Sequence, residues 1–254
     1  MAVGLLHPGE MGAALGAVLR GAGHDVLWAS AGRSRATAER AERANLRDVG
    51  SAAELVSGCE VILSVCPPSA ALEVARSVAA FDGVFVDANA VSPATAHAVA
   101  ATVEASGARF VDGGIVGPPP VSGGTTRLYL AGSSAAPVAD LFEGTVVDAR
   151  VVSDRIGTAS ALKMAYAAWT KGTAAMLLAI RELARAEDVE EMLLEEWRLS
   201  LPTLPEASVS AARSADAKGW RWVAEMEEIA ATFAAAGLPV GFHRAAAEMF
   251  RRLG

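Results

Sequence analysis

At 254 residues, 52% of them apolar, the chain is long enough for one large domain or two modest ones with well-filled cores. A formal net charge of -7 leaves no electrostatic footprint for nucleic acid, and the two cysteines, Cys59 and Cys66, match neither a CxxC redox pair nor a zinc-ligand set, so buried thiols and no metal are expected. The longest apolar helical run, 164–180, carries Lys171 and many small residues, which argues against a bilayer span.

The chain enters a strand-like run at 3–6 with no basic region or apolar signal core ahead of it, so a cytoplasmic location is expected. Runs rich in Val, Ile, Leu and Phe at 3–6, 25–28, 61–66, 84–87 and 109–112 alternate with helical patterns at 11–21, 35–44, 52–57, 69–79 and 93–105. That alternation predicts an α/β fold, a Rossmann-type doubly wound parallel sheet. Strands at 128–131 and 145–152, around a helix at 135–142, extend the sheet. From 156 onward the period is helical, with a long segment at 159–186, a loop at 201–205 and helices at 217–236 and 242–253. A dinucleotide-binding domain at 1–155 and an all-helical C-terminal domain at 156–254 follow. About a hundred residues of helix bury little surface alone, which predicts a homodimer built on that domain.

The turn after the first strand reads His7-Pro8-Gly9-Glu10-Met11-Gly12. Against GxGxxG, the second and third glycines are Gly9 and Gly12, while His7 holds the first position. A strand before, a helix after and a second strand ending about twenty residues later are the context a dinucleotide turn needs; an ordinary βα turn is the alternative. An acid at the end of the second strand would accept from the ribose 2′-hydroxyl of NAD. The chain instead supplies Ser30, Arg33 and Ser34, hydroxyls and a guanidinium that suit a 2′-phosphate, which favours NADP(H) unless the arginine is simply solvated.

With these elements the chain resembles the superfamily of 6-phosphogluconate dehydrogenase-like and β-hydroxyacid dehydrogenases, which also includes imine reductases. The segment from Val3 to Gly12 looks like the family's opening strand and G-x-G-x-M-G turn. Val65-Cys66-Pro67 is similar to the loop that contacts the adenosine side of the cofactor. Asn89, within Asp87-Ala88-Asn89-Ala90-Val91-Ser92-Pro93, stands where the family has a serine near the nicotinamide. The substrate loop aligns with Asp112 to Pro118, which implies substrate contacts at Ile115, Val116 and Gly117 but lacks the family's serine. Gly157 to Tyr166 looks like the start of the interdomain helix, with Lys163 at the catalytic lysine and Tyr166 in place of the usual asparagine. His243 is a further substrate-side candidate from the C-terminal run.

Hydride transfer at a carbinol or carbonyl carbon needs a partner for the hydroxyl proton. Lys163, among Ala, Leu, Met, Tyr and Trp, fits that exchange, against the alternative of a snorkelling lysine near a helix start. Tyr166 shares its helical face and could assist. Asn89 either holds the carboxamide or substrate hydroxyl or makes an Asx turn before Ser92-Pro93, and His243 is more simply a structural histidine. The expected activity is an NADP(H)-dependent dehydrogenase or reductase acting on a small hydroxy acid or related carbonyl. An imine reductase, disfavoured by the retained lysine, and a non-catalytic NADP(H)-binding regulator are the alternatives.

Overall fold

A computed structural model of the chain describes every residue except 79 and 254. Alternating strands and helices run through β1 (Ala2–Leu6), α1 (Glu10–Gly21), β2 (Asp25–Trp28), α2 (Arg35–Arg43), β3 (Arg47–Asp48), α3 (Ala52–Gly58), β4 (Val61–Ser64), a short 3-10 turn (Pro68–Ala70), α4 (Ala71–Ser77), β5 (Val84–Asp87) and α5 (Pro93–Glu104). Then come β6 (Arg109–Val116), β7 (Thr126–Ala131), α6 (Ala135–Asp140) and β8 (Val147–Ser153). Among the described residues these form an eight-stranded sheet in the order β3-β2-β1-β4-β5-β6-β7-β8, parallel except where β6 meets β7.

The period-two alternation of each strand feeds two cores. Leu5, Val61, Leu63, Val84 and Val86 point to the face covered by Leu15 and Leu19 of α1, while Leu6, Ile62 and Phe85 point to the face covered by Leu55, Val74, Val99 and Val103 of α3, α4 and α5. The strand order reverses between β1 and β4, and the crevice at their carboxyl ends is where an open α/β sheet takes its ligand. Serine caps set the entry of the crossover helices. Ser34, Ser51 and Ser92 each accept an N–H from the first turn of α2, α3 and α5.

Several boundaries differ from the sequence expectation. β3 carries no apolar signal, because both its residues are exposed. β4 stops at Ser64 rather than at 66. β6 continues to Val116 instead of ending at 112: Gly113-Gly114 reads as loop in sequence, yet both glycines are strand residues held in close contact. The predicted end of the fourth helix, at 79, lies outside the described residues.

The chain divides into two compact units, Met1–Lys163 and Met164 onward, rather than at 155/156. The shift has a structural cause, since the first turn of α7 (Thr158–Ala186) is hydrogen-bonded to β6. The second unit holds the remainder of α7 with α8 (Glu190–Ser200), α9 (Leu204–Ala235) and α10 (Gly241–Leu253). α8 was not expected, and α9 starts at 204 rather than 217. Pro205 sits in the first turn of α9, where its missing N–H costs nothing, so the expected loop is a helix start. Within this unit Trp222 meets the buried Phe250 edge-on at 5.0 Å, and Lys171 pairs with Glu225 at 2.7 Å. No helix among the described residues is long and apolar enough to cross a membrane.

Candidate dinucleotide and catalytic site

The turn from β1 to α1 is built on an unusual residue. His7 has a φ of 65°, the left-handed region where histidine is tolerated at a modest cost. Its carbonyl accepts the Gly9 N–H at 2.7 Å and closes the turn. A Cβ on Gly12 would lie 2.7 Å from that same carbonyl oxygen, so helix and turn meet there only through glycine. Gly9 is different: its φ of -70° suits any residue, and among the described residues a Cβ there would meet nothing within 4 Å beyond its chain neighbours. Among the described residues no side chain caps α1 at this end. An open cradle before an uncapped helix start fits a dinucleotide pyrophosphate. Arg40 of α2 donates to the Pro8 carbonyl at 3.2 Å and braces the turn, a contact no sequence motif announces.

Burial, and after it the Arg33 charge, holds the His7 imidazole down at about 4. In the unfolded chain histidine takes up its proton near pH 6.5. Between those values the unfolded state binds more protons, so His7's contribution is whole above about pH 6.5 and is lost as pH falls toward about 4, by on the order of 2 kcal/mol after allowance for partial exposure. His7→Asn tolerates the same backbone and does not titrate there. We expect it to reduce the loss of urea midpoint between about pH 7 and about pH 5; an unchanged loss would mean that His7 is not the group responsible. Some slope persists, since burial also lowers the pKa of His243.

At the end of β2, Ser30 accepts the Arg33 N–H at 3.0 Å across a turn containing Gly32, whose φ is 72°. Ser34 is the α2 cap, and Arg35 is paired with Glu39. The sequence puts no acid at this strand end, but the parallel neighbour β3 brings Asp48 there, paired in register with Trp28. Its Oδ1 accepts the N–H groups of Ser30 at 3.2 Å and Gly50 at 2.8 Å. Burial raises its pKa, and these bonds, with one from the Ser30 hydroxyl, outweigh that and hold it low. Asp48 is thus occupied in shaping the turn. The Arg33 charge acts to lower the pKa of both His7 and Cys66, behind burial at each.

The loops after β4 and β5 are locked together by Asn89. Its Oδ1 accepts the Cys66 N–H at 2.5 Å, and its Nδ2 donates to the Ser64 hydroxyl at 3.2 Å. Its own N–H goes to Asp87 Oδ1 at 3.0 Å. Asn89 is 3% exposed, so the geometry gives its amide a loop-holding task. Val65 lies across from Gly12, joining the Val65-Cys66-Pro67 loop to the turn between β1 and α1. Burial, and then the Asp87 charge, pushes the Cys66 thiol up to about 12, so it is a neutral wall residue.

Lys163 reaches the same edge of the sheet through β6. A Cβ on Gly113 would lie 2.9 Å from the Asp87 carbonyl oxygen, and one on Gly114 would lie 2.8 Å from the Ala159 carbonyl oxygen and 3.1 Å from the Lys163 Cβ. The two glycines let β6 sit tightly between β5 and α7, and so bring a half-buried Lys163 to the carboxyl end of the sheet. Asp112, buried on the same strand, accepts the Ser160 hydroxyl at 2.5 Å and the Ser160 N–H at 3.1 Å. Sequence reasoning assigned neither Asp112 nor Ser160 a role, because they lie 48 positions apart.

Further expected site residues are placed by β6, by the loop after it and by the second unit. Ile115 and Val116 are buried strand residues paired with Leu128 and Arg127, which corrects their placement in a substrate loop. Gly117 does begin a loop, with a φ of 122° and the Thr125 carbonyl oxygen so near that no Cβ fits. Tyr166 belongs to the second unit and is 46% exposed. His243 is buried in that unit beside the Phe233 ring, at 4.1 Å, and the edge of Phe242, a packing position rather than an open substrate contact.

Comparison with known proteins supports the Rossmann-type fold with a helical region after it. Residues 2–140 match the NAD binding domain of 6-phosphogluconate dehydrogenase, and residues 184–253 match a domain of unknown function. A solved conserved protein of unknown function, itself structurally similar to 3-hydroxyacid dehydrogenases, is 28% identical with a TM-score of 0.72 over 100% of this chain and 96% of its own. A 3-hydroxyisobutyrate dehydrogenase from Salmonella typhimurium is 16% identical with a TM-score of 0.75, over 99% of this chain and 93% of that one. A reductive aminase from Aspergillus terreus, in complex with NADPH and ethyl levulinate, is 19% identical with a TM-score of 0.63, over 99% and 92%. At those two identities the likeness is one of fold. No curated protein matches the sequence.

Proposed function

Because the chain belongs to the family of the 6-phosphogluconate dehydrogenase NAD-binding domain, we propose that it is a cytoplasmic NADP(H)-dependent oxidoreductase that moves a hydride to or from a small hydroxy acid or related carbonyl, with Lys163 carrying the proton. The observation that bears most on this reading is Lys163 against Gly114, at the strand ends that also carry the dinucleotide turn. The lysine is notable for its chemistry. Of the 22 basic residues only Lys163, Lys171 and Lys218 are lysines; Lys171 is ion-paired and Lys218 is exposed. A guanidinium never gives up its proton near neutral pH, whereas an amine can, so lysine at 163 suits proton exchange where arginine would not.

Gly9 and the first turn of α1 would hold the pyrophosphate, and Arg33 with Ser30 would face the adenosine 2′-phosphate, Asp48 being engaged by backbone N–H groups. The nicotinamide, when bound, gives or takes the hydride. Lys163 Nζ donates a proton to the oxygen of a carbonyl under reduction and recovers it in the reverse direction. Asn89 holds the β4 and β5 loops that wall this edge.

Fluorescence titration is expected to give tighter binding of NADPH than NADH, and equal, weak binding of both would end the reading. A panel of small aldehydes, keto acids and cyclic imines then separates activities: carbonyl reduction is expected, and imine turnover alone would favour the reductive aminase type of chemistry. Trp169, Met176 and Leu183 are exposed at seven-residue spacing along α7, which supports a homodimer covering that stripe. A light-scattering mass of one chain would count against it.

A further inference from the structure

The N-terminal turn of α7 is capped by a carboxylate from another element. The first N–H groups of a helix lack intrahelical partners and gather partial positive charge. In α7 they are met from β6: Asp112 Oδ2 takes the Ser160 N–H at 3.1 Å and its Oδ1 takes the Ser160 hydroxyl at 2.5 Å, while the backbone N–H groups of Gly157 and Ala159 also favour the charged carboxylate. Both Asp112 and Ser160 are fully buried. Two residues along β6, on the same face, Gly114 lies against the helix at Ala159, in that same turn, and at Lys163, in the next. One strand therefore grips the helix at Ser160 and receives it at Lys163, one turn later. A helix end held only by water could shift and rotate; charge-assisted bonds in a dry setting fix it.

We propose that Asp112, acting through Ser160, is the positioning residue for Lys163: it sets the rotation and depth of the first turns of α7 and so the place of the lysine amine. This rests on the reading of Lys163 as proton carrier. Burial of the carboxylate carries a charge penalty, visible as a raised pKa despite its hydrogen bonds. That penalty is borne at this strand–helix junction and not at the Ser-capped helices α2, α3 and α5, where an uncharged cap suffices.

With only three lysines, the chain allows a direct test. Reductive ¹³C-dimethylation of the full-length protein yields NMR signals assignable by single Lys→Arg variants. In the wild type the Lys163 signal is expected to move on addition of NADPH. In Asp112→Ala it should revert toward the position of the exposed Lys218 and lose its NADPH response, while NADPH affinity by fluorescence stays within about twofold and the Lys171 and Lys218 signals hold. Asp112→Asn keeps an oxygen for the Ser160 N–H and is expected to restore part of the wild-type signal. Ser160→Ala, a milder change that tests the same link should Asp112→Ala not fold, should shift Lys163 alone and in the same direction. A Lys163 signal unmoved in both Asp112→Ala and Ser160→Ala overturns the inference, and so does a joint change of all three lysines, which would mark Asp112 as merely structural. A Lys163 signal displaced by Asp112→Ala yet indifferent to NADPH in the wild type would instead overturn the proton-carrier reading beneath it.

Discussion

Lys163→Ala is expected to lower turnover by about two to four orders of magnitude, the usual worth of a positioned general acid or base, while NADPH affinity changes by no more than about twofold. The separation follows from the layout. The proposed dinucleotide contacts lie on the turns after β1, β2 and β4, at Gly9, Arg33 and the loop held by Asn89, none of which depends on the amine at 163. Loss of a group that acts only on the reacting oxygen should appear in kcat and in kcat/KM alike. Lys163→Arg sharpens the point. It keeps a positive charge at the site but cannot release a proton near neutral pH, so an electrostatic role would be largely rescued and a proton-carrying role would not. Steady-state kinetics on the best carbonyl substrate, beside a fluorescence titration of NADPH, decide between them. Arginine restoring most of the activity would leave charge stabilisation as the explanation, and near-normal activity in Lys163→Ala would remove Lys163 from the chemistry. Thermal unfolding should change little, because the lysine is only half-buried.

The alternation of apolar runs and helices made the doubly wound sheet readable, because each strand buried on two faces writes a near-continuous apolar run into the sequence. What could not be read depended on contacts between distant segments. Gly113-Gly114 resembles a loop by composition and is strand because β5 and α7 press on it from either side. Asp48 stands at the end of β2 although it is eighteen positions beyond Ser30, delivered by a two-residue parallel strand with no apolar residue. Asp112 and Ser160 form their bond across 48 positions. Lys163 was singled out by motif, but the reason it stands where it does lies in those glycines and that carboxylate. His7 shows the converse. The sequence marks it as a departure from glycine, and the backbone keeps the glycine-like conformation regardless, with a positive φ on a histidine. Ile115 and Val116 align with a loop in sequence yet are buried strand residues of β6, and His243 is buried beside Phe233, environments set by packing that no local motif reveals.

Gly9→Ala and Gly12→Ala should part company. At Gly12 the new Cβ would stand 2.7 Å from the His7 carbonyl oxygen, a backbone atom that cannot swing aside, so helix or turn must move and the fold should lose about 1–3 kcal/mol. At Gly9 no atom of the described residues beyond its chain neighbours lies within 4 Å of a Cβ, and the backbone is already extended, with φ -70° and ψ -169°. A smaller unfolded-state entropy gains about 0.4–1 kcal/mol for alanine there, and alanine's weakness as an N-cap takes back a similar amount, leaving stability nearly unchanged. Nothing among the described residues therefore asks for glycine at position 9. A dinucleotide does, because the second glycine of the turn is the point where backbone and pyrophosphate approach most closely. A methyl group in that approach costs about 1–3 kcal/mol, roughly five- to hundredfold in NADPH affinity. Urea midpoints and NADPH titrations of the two variants separate fold from site: Gly12→Ala should lose both, Gly9→Ala only the cofactor. Wild-type NADPH binding by a stable Gly9→Ala would mean that the pyrophosphate does not lie over this turn, and the assignment of the open cradle to the cofactor would have to be abandoned even though the Rossmann architecture stands.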